Sequence, residues 1–259
     1  MDSARPQHKD PFESWGDLDP ESFGGTDFPP LATEEEIEVL NRFAKTIPIP
    51  DTSHPGNRFY YGEGLANGFN KDLPWIQTYS GRRFTPTDPN PNAIVIQDVV
   101  HALSNICRFT GHCKKFYSVA QHSVLVSYIC DSQDALWGLL HDASEALATD
   151  LASPIKRLPE LSGYREIEHK IQLAICKRFG LPIQEPGSVK KADLILLATE
   201  ARDLLTIQRG DWDLNIEPLP FLIESWEPQK AKDMFMKRFF ELTGCPDHYP
   251  HYLANKDRL

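Results

Sequence analysis

A chain of 259 residues and 29.4 kDa, 41% apolar and 25% charged, is sized for one decorated domain or two small ones. That composition excludes wholesale disorder, and no apolar run approaches the roughly 20 residues of a membrane helix. A net charge of −10 excludes a broad electrostatic grip on duplex nucleic acid or an anionic membrane. A small anionic ligand, held by a few local cations and a metal, is still allowed.

The first segment is the most acidic. Residues 1–70 carry 13 acidic and 5 basic side chains, and 12 of the 21 prolines fall at or before Pro91. Stretches such as GDLDPESFGGTDFPP bury little apolar surface and are expected to be irregular. Residues 1–74 therefore read as an acidic, Pro-rich extension that packs on its own subunit or a neighbour, and 75–259 as the folded body. One short helix is expected in the extension, where Thr33 and Glu36 fit a capping box ahead of Ile37, Leu40 and Phe43. The leading MDSARPQHKD lacks the apolar core of a secretory signal. Five cysteines, an odd number without a CxxC pair, argue against a zinc ribbon or a disulfide framework. A reducing cytoplasm is the expected location.

Residues 75–86, WIQTYSGRRFTP, alternate about Ser80-Gly81 and predict a β-hairpin. Beyond Pro91 the pattern becomes helical. Asp98 is placed to cap a helix with Val99, Val100, Leu103, Ile106 and Cys107 on its apolar face. Ser118 and Gln121 form a second capping-box pattern, opening a helix over about 118–130. A third helix is predicted over about 133–147 and a fourth from about 162 to Phe179, stopped by Gly180. Ser188 opens a fifth, with Ala192, Ile195, Leu196 and Leu204 on one stripe, and a last covers about 228–242, ahead of Gly244. The body is all-α with one small β feature.

Chemistry concentrates in four side chains. His122, the pair His141-Asp142 in LLHDASEAL, and Asp193 in VKKADLILLATEARDLL each lie in an apolar helical context. Buried imidazoles and carboxylates need partners. One divalent metal held by His122, His141, Asp142 and Asp193 supplies all of those partners together.

The ordered pattern H…HD…D, with HDASE on a helix, resembles the HD-domain metal-dependent phosphohydrolases. The flanking text CRFTGHCKKFYSVAQHS and LLHDASEALATDLASPIKR is similar to the bacterial and bacteriophage branch. That branch includes the 5′-deoxynucleotidases and the phage dATP triphosphohydrolases. The likeness spans about residues 75–206 and rests on His122, His141-Asp142, Glu145, Asp150, Lys156 and Asp193 as a set.

The resemblance implies an HD-domain helical bundle with one metal. His169 is the only other histidine between the HD pair and Asp193, whereas two-metal relatives use more. Two nitrogen and two oxygen donors suit Co²⁺, Mn²⁺, Zn²⁺, Ni²⁺ or Fe²⁺ better than Mg²⁺. Such a metal polarises a phosphoryl oxygen and acidifies water. Glu145, four residues after His141, would position or deprotonate that water. Lys156 would meet a phosphate, and Asp150 would support the substrate or the water, or serve as a turn residue. Arg108 resembles the family's phosphate- and sugar-facing arginine, placed at the end of the preceding helix. Phe109 matches an aromatic set against the nucleoside, and Gly111 a position where adenine-specific relatives are bulkier. His101, His112 and Trp137 read as packing residues or as supports behind the ligands.

The expected activity is removal of phosphate from a deoxynucleoside 5′-monophosphate. The alternatives are a dNTP triphosphohydrolase, which Arg157, Lys114 and Lys115 would favour, a non-catalytic nucleotide sensor, and a scaffold using the acidic arm. Expected partners are a small nucleotide and further copies of the chain, as a dimer or larger homo-oligomer, with neither duplex nucleic acid nor membrane.

Overall fold

The computed structural model describes residues 72–206 and 216–244. The helix expected after Thr33, nearly all of the acidic extension, and Cys245 lie outside those residues. The expected hairpin is present as β1 (Ile76–Gln77) and β2 (Arg83–Phe84), antiparallel, with Ile76 opposite Phe84. Its turn needs a left-handed residue, and Gly81 supplies one at φ +79°. Only Phe84 of the four strand residues is buried, so the hairpin contributes one aromatic ring to the core.

Helix α1 runs Ile96–Asn105, and Asp98 does not cap it. Asp98 stands in the first turn and accepts hydrogen bonds from Ser80 N (2.7 Å) and Ser80 Oγ (2.8 Å). The carboxylate is still placed well against the helix dipole, but its donors come from the hairpin. Ile106 and Cys107 also depart from expectation, because the helix ends before them. Cys107 pairs with Ser118 in an isolated antiparallel bridge, while Arg108 N donates to Tyr117 O (2.9 Å) and Val119 N to Ile106 O (3.1 Å). Residues 108–117 are thereby closed into a loop.

Helix α2 (Val119–Ile129) starts as predicted, with Ser118 Oγ accepting from Gln121 N at 3.1 Å. Only half of the capping box forms. The Gln121 amide instead donates to Glu224 O (2.7 Å) and accepts from Trp226 N (2.8 Å). α2 is the central helix: α1, α3 (Ala135–Leu140), α7 (Gly187–Leu204) and α8 (Pro228–Leu242) all pack on it. Its two sides belong to two apolar clusters. Val124 joins Leu103, Leu139, Phe235 and Phe239, whereas Val126 joins Trp137, Cys176, Val189 and Leu196. Each such side chain contributes about 1.5–3 kcal/mol by leaving water.

The α2–α3 approach is close at Gly138. A Cβ there would meet Cys130 Sγ at 2.8 Å and the Ser127 Cα at 3.2 Å. Gly138→Ala is expected to destabilise the fold by about 1–3 kcal/mol through overpacking. Urea unfolding of the two proteins measures this directly.

The single helix expected over 133–147 is divided. Ser132–Asp134 is a 3₁₀ turn, α3 ends at Leu140, and α4 resumes at Glu145–Ala148. Between them the bonds tighten to i→i+3, with Ala143 N on Leu140 O (3.1 Å) and Glu145 N on Asp142 O (3.0 Å). A 3₁₀ stretch within a helical run often marks a functional or strained point, and here it falls on His141 and Asp142.

A short α5 (Ser153–Lys156) precedes α6 (Ser162–Phe179), which stops at the left-handed Gly180, φ +70°. α7 begins one residue before the expected Ser188, and the Ser188 hydroxyl instead bonds the Asp134 carboxylate. α8 ends at Leu242, as predicted. Trp137 is a packing residue, buried with Nε1 donating to Pro182 O (2.9 Å). His101 stacks on Tyr79 at 3.6 Å, and His112 is exposed. The cysteines at 107, 113, 130 and 176 are free thiols. No helix among the described residues is long and apolar enough to cross a membrane.

Candidate metal centre

Four side chains from three places in the chain converge. His122 comes from the middle of α2, His141-Asp142 from the tightened turn after α3, and Asp193 from α7. His122 Nε2 lies 3.2 Å from His141 Nε2, 3.1 Å from Asp193 Oδ1 and 3.7 Å from Asp142 Oδ2. His141 Nε2 lies 3.2 Å from Asp142 Oδ2. The donor atoms of His122, His141 and Asp142 all fall within 4.8 Å of one another.

The outer nitrogens explain this orientation. His122 Nδ1 faces Glu200 Oε1 at 2.6 Å, and His141 Nδ1 faces the Gly138 carbonyl at 2.8 Å. Both partners are acceptors, so each Nδ1 carries a proton and each Nε2 is turned inward toward the carboxylates. Two imidazole nitrogens and two carboxylates turned toward one another could hold a cation. The donor set fits a divalent transition metal.

In the chain by itself, protons on the imidazoles take the cation's part. Burial disfavours a charged His141, but Asp142 and Asp193 outweigh it and push its pKa up to about 10. Burial likewise opposes the Asp142 carboxylate, yet His141, His122 and Arg108 hold it far below the usual carboxylate range. Glu200 is fully buried and still lowered, because Arg108 and His122 stabilise its charge. The buried carboxylates of Asp142 and Glu200 thus stay ionised beside the imidazoles and Arg108.

Glu145, on α4, is buried, and its Oε2 has no hydrogen-bond partner among the described residues. Burial first, then Asp142 and Asp150, raise its pKa well above the ordinary value. Lys156 Nζ lies 3.8 Å from Glu145 Oε1 and 2.7 Å from Glu168 Oε1. Asp150 is half-buried, with its pKa raised by burial despite Arg108 and Lys156. Lys156→Ala is expected to raise KM or lower kcat while leaving metal content unchanged. Wild-type kinetics in that variant would remove Lys156 from the site.

Arg108 is not at a helix end. It lies in the loop after α1, and its guanidinium turns inward to Asp142 Oδ2 (Nη1, 3.4 Å) and Glu200 Oε2 (Nη2, 3.2 Å). The same guanidinium sits over the Phe109 ring at 5.3 Å. Phe109 and Thr110 both have φ +54° and Gly111 has φ +83°, so three successive residues are left-handed. The two non-glycines cost of order 1–3 kcal/mol each, a strain concentrated beside Arg108. A Cβ at Gly111 would meet nothing within 4 Å, so space is open there, although its backbone disfavours a side chain. Of the basic residues considered for a longer phosphate chain, Lys114 Nζ donates to Asp203 O (3.3 Å), while Lys115 and Arg157 are exposed.

Three participants are absent from the sequence-derived set: Glu200, Glu168 and Tyr164, whose hydroxyl donates to Thr149 O (2.6 Å). Glu200 had a legible signal. It lies seven residues after Asp193, two turns along the same face of one helix.

The chain is 43% identical over 175 residues to the uncharacterized protein YfdR of Escherichia coli (strain K12), covering 66% of this chain and 97% of that protein. An uncharacterized protein of Rhodobacter capsulatus is 32% identical over 152 residues, covering 54% of this chain and 77% of the relative. No family model matches the sequence.

Proposed function

The chain belongs to the family of the Escherichia coli protein YfdR, and from its site we propose that it is an HD-domain, metal-dependent phosphohydrolase acting on deoxynucleoside 5′-monophosphates. One observation carries the reading. Two imidazoles, each with Nδ1 held by an acceptor, bring their Nε2 atoms to 3.2 Å beside two carboxylates. His122, His141, Asp142 and Asp193 would hold the metal, which supplies Lewis acidity toward a phosphoryl oxygen and toward water.

The chain's own residues do the rest. Glu145 Oε2 is buried and open, and takes a proton from the attacking water. Its raised pKa brings a carboxylate closer to the working pH, where a general base is most effective. Water oxygen bonds to phosphorus, the P–O5′ bond breaks, and O5′ takes up the proton held on Glu145, so the nucleoside leaves as an alcohol. Lys156, steadied by Glu168, supplies a cation beside Glu145. Arg108 supplies the second.

Both cations are already shared with carboxylates, Arg108 with Asp142 and Glu200, Lys156 with Glu145 and Glu168. A site with so little unshared positive charge favours a monophosphate dianion over a triphosphate. The test is a panel of deoxy- and ribonucleoside mono-, di- and triphosphates with Co²⁺, Mn²⁺, Zn²⁺ or Mg²⁺, with products resolved by chromatography. Inorganic phosphate from monophosphates is the expected result. Intact triphosphate from triphosphates would replace this reading with a triphosphohydrolase, and no turnover at all would favour a nucleotide sensor.

A further inference from the structure

We propose that Glu200 is a positioning residue that couples the metal centre to Arg108, so that metal and phosphate bind cooperatively; this rests on the metal-site reading above. Glu200 is fully buried on α7, where a carboxylate persists only by virtue of its partners. It divides its two oxygens. Oε1 accepts from His122 Nδ1 at 2.6 Å, and Oε2 accepts from Arg108 Nη2 at 3.2 Å. The first contact fixes the imidazole tautomer and aims Nε2 at Asp193 and His141. The second orients the guanidinium, whose Nη1 reaches Asp142 Oδ2 at 3.4 Å.

Arg108 is therefore tied to the donor set by two routes, through Glu200 to His122 and directly to Asp142. A structural ion pair would need neither the split oxygens nor the second route. The consequence is electrostatic. Asp142 shares its charge between Arg108 and the centre. Were Asp142 engaged by a dication, its hold on Nη1 would loosen, and the guanidinium, still anchored by Glu200, would be available to an anion. Linkage makes the effect reciprocal: bound anion must tighten the metal by the same factor.

The experiment uses the full chain, with Zn²⁺ affinity from chelator competition and inorganic phosphate affinity from calorimetry with and without Zn²⁺. In the wild type, Zn²⁺ is expected to tighten phosphate at least about tenfold, within the usual range for coupled sites. Glu200→Gln should weaken Zn²⁺ by about 10–100-fold, the usual effect of losing a ligand's outer partner, and should abolish the tightening. Glu200→Asp should restore part of both. Should either variant fail to fold, nitrogen-resolved NMR of ¹⁵N-histidine wild type in the Zn²⁺ form decides. His122 Nδ1 is expected to carry a far-downfield proton. Wild-type Zn²⁺ affinity and phosphate coupling in Glu200→Gln, or an unprotonated His122 Nδ1, would overturn the role of Glu200. A wild-type protein that binds no transition dication would overturn the metal reading instead, and with it this proposal.

Discussion

Asp193→Ala is expected to yield a folded protein that has lost its metal and its turnover together. Its oxygen lies 3.1 Å from His122 Nε2, as one of four converging donors. Losing a partner outside the ligand set typically costs 10–100-fold in affinity, so losing a ligand should cost more than about 100-fold. The fold should survive, since the Asp193 side chain is 40% exposed and its removal leaves no sealed void. His141→Ala should behave the same way toward metal. Elemental analysis of the purified variants beside a hydrolysis assay reads both effects. Full metal content in Asp193→Ala would reduce that residue to a simple ion-pair partner of His122.

Glu145→Gln should separate what Asp193→Ala joins. Metal content is expected to stay at the wild-type level while turnover falls about 10²–10⁴-fold, the usual worth of a general base. Stability should move the other way. Burial and the nearby Asp142 and Asp150 raise the Glu145 pKa, so the folded metal-free state binds more protons than the unfolded one as pH rises beyond the ordinary glutamate range. Stability therefore falls with rising pH across that window. The glutamine variant cannot ionise, so Glu145's share of this slope should be lost, leaving a shallower one, and its Tm at neutral pH should rise in the metal-free protein. Thermal melts from pH 4 upward, with wild type and variant side by side, would reveal equal slopes if Glu145 were not the cause.

Where the sequence could be read, the reasons were local. α6 and its left-handed Gly180 follow from residues close together in the chain, as does the Ser118 cap of α2. The four metal-site candidates were legible because a polar residue amid apolar helix text demands a partner. The misreadings share another cause. Asp98 had the right spacing for a cap, but its donors sit 18 residues earlier in the hairpin. Gln121 fitted a capping box until a backbone segment more than 100 residues away took both ends of its amide. Glu200 is missed although it shares a helix face with Asp193, because its imidazole partner is 78 residues distant. The break after Leu140 falls within HDAS, which contains neither glycine nor proline to announce it.

The Gln121 clamp has one more consequence. The backbone of Glu224 and Trp226 is held by that amide, and Leu219 N by Thr199 Oγ1. Arg202 grips Leu219 O and Phe221 O, and Asp203 accepts from Ile223 N. Beyond them, Phe235, Met236 and Phe239 of α8 sit in the main apolar cluster. The two sides of the 207–215 connection are thus joined by side-chain clasps and a common core, independently of the peptide between them. The protein should tolerate being made as two separate polypeptides, one ending near Thr206 and one starting near Ile216, that reassemble when mixed. Such a split form would report on its own folding whenever the halves carry the two parts of a reporter.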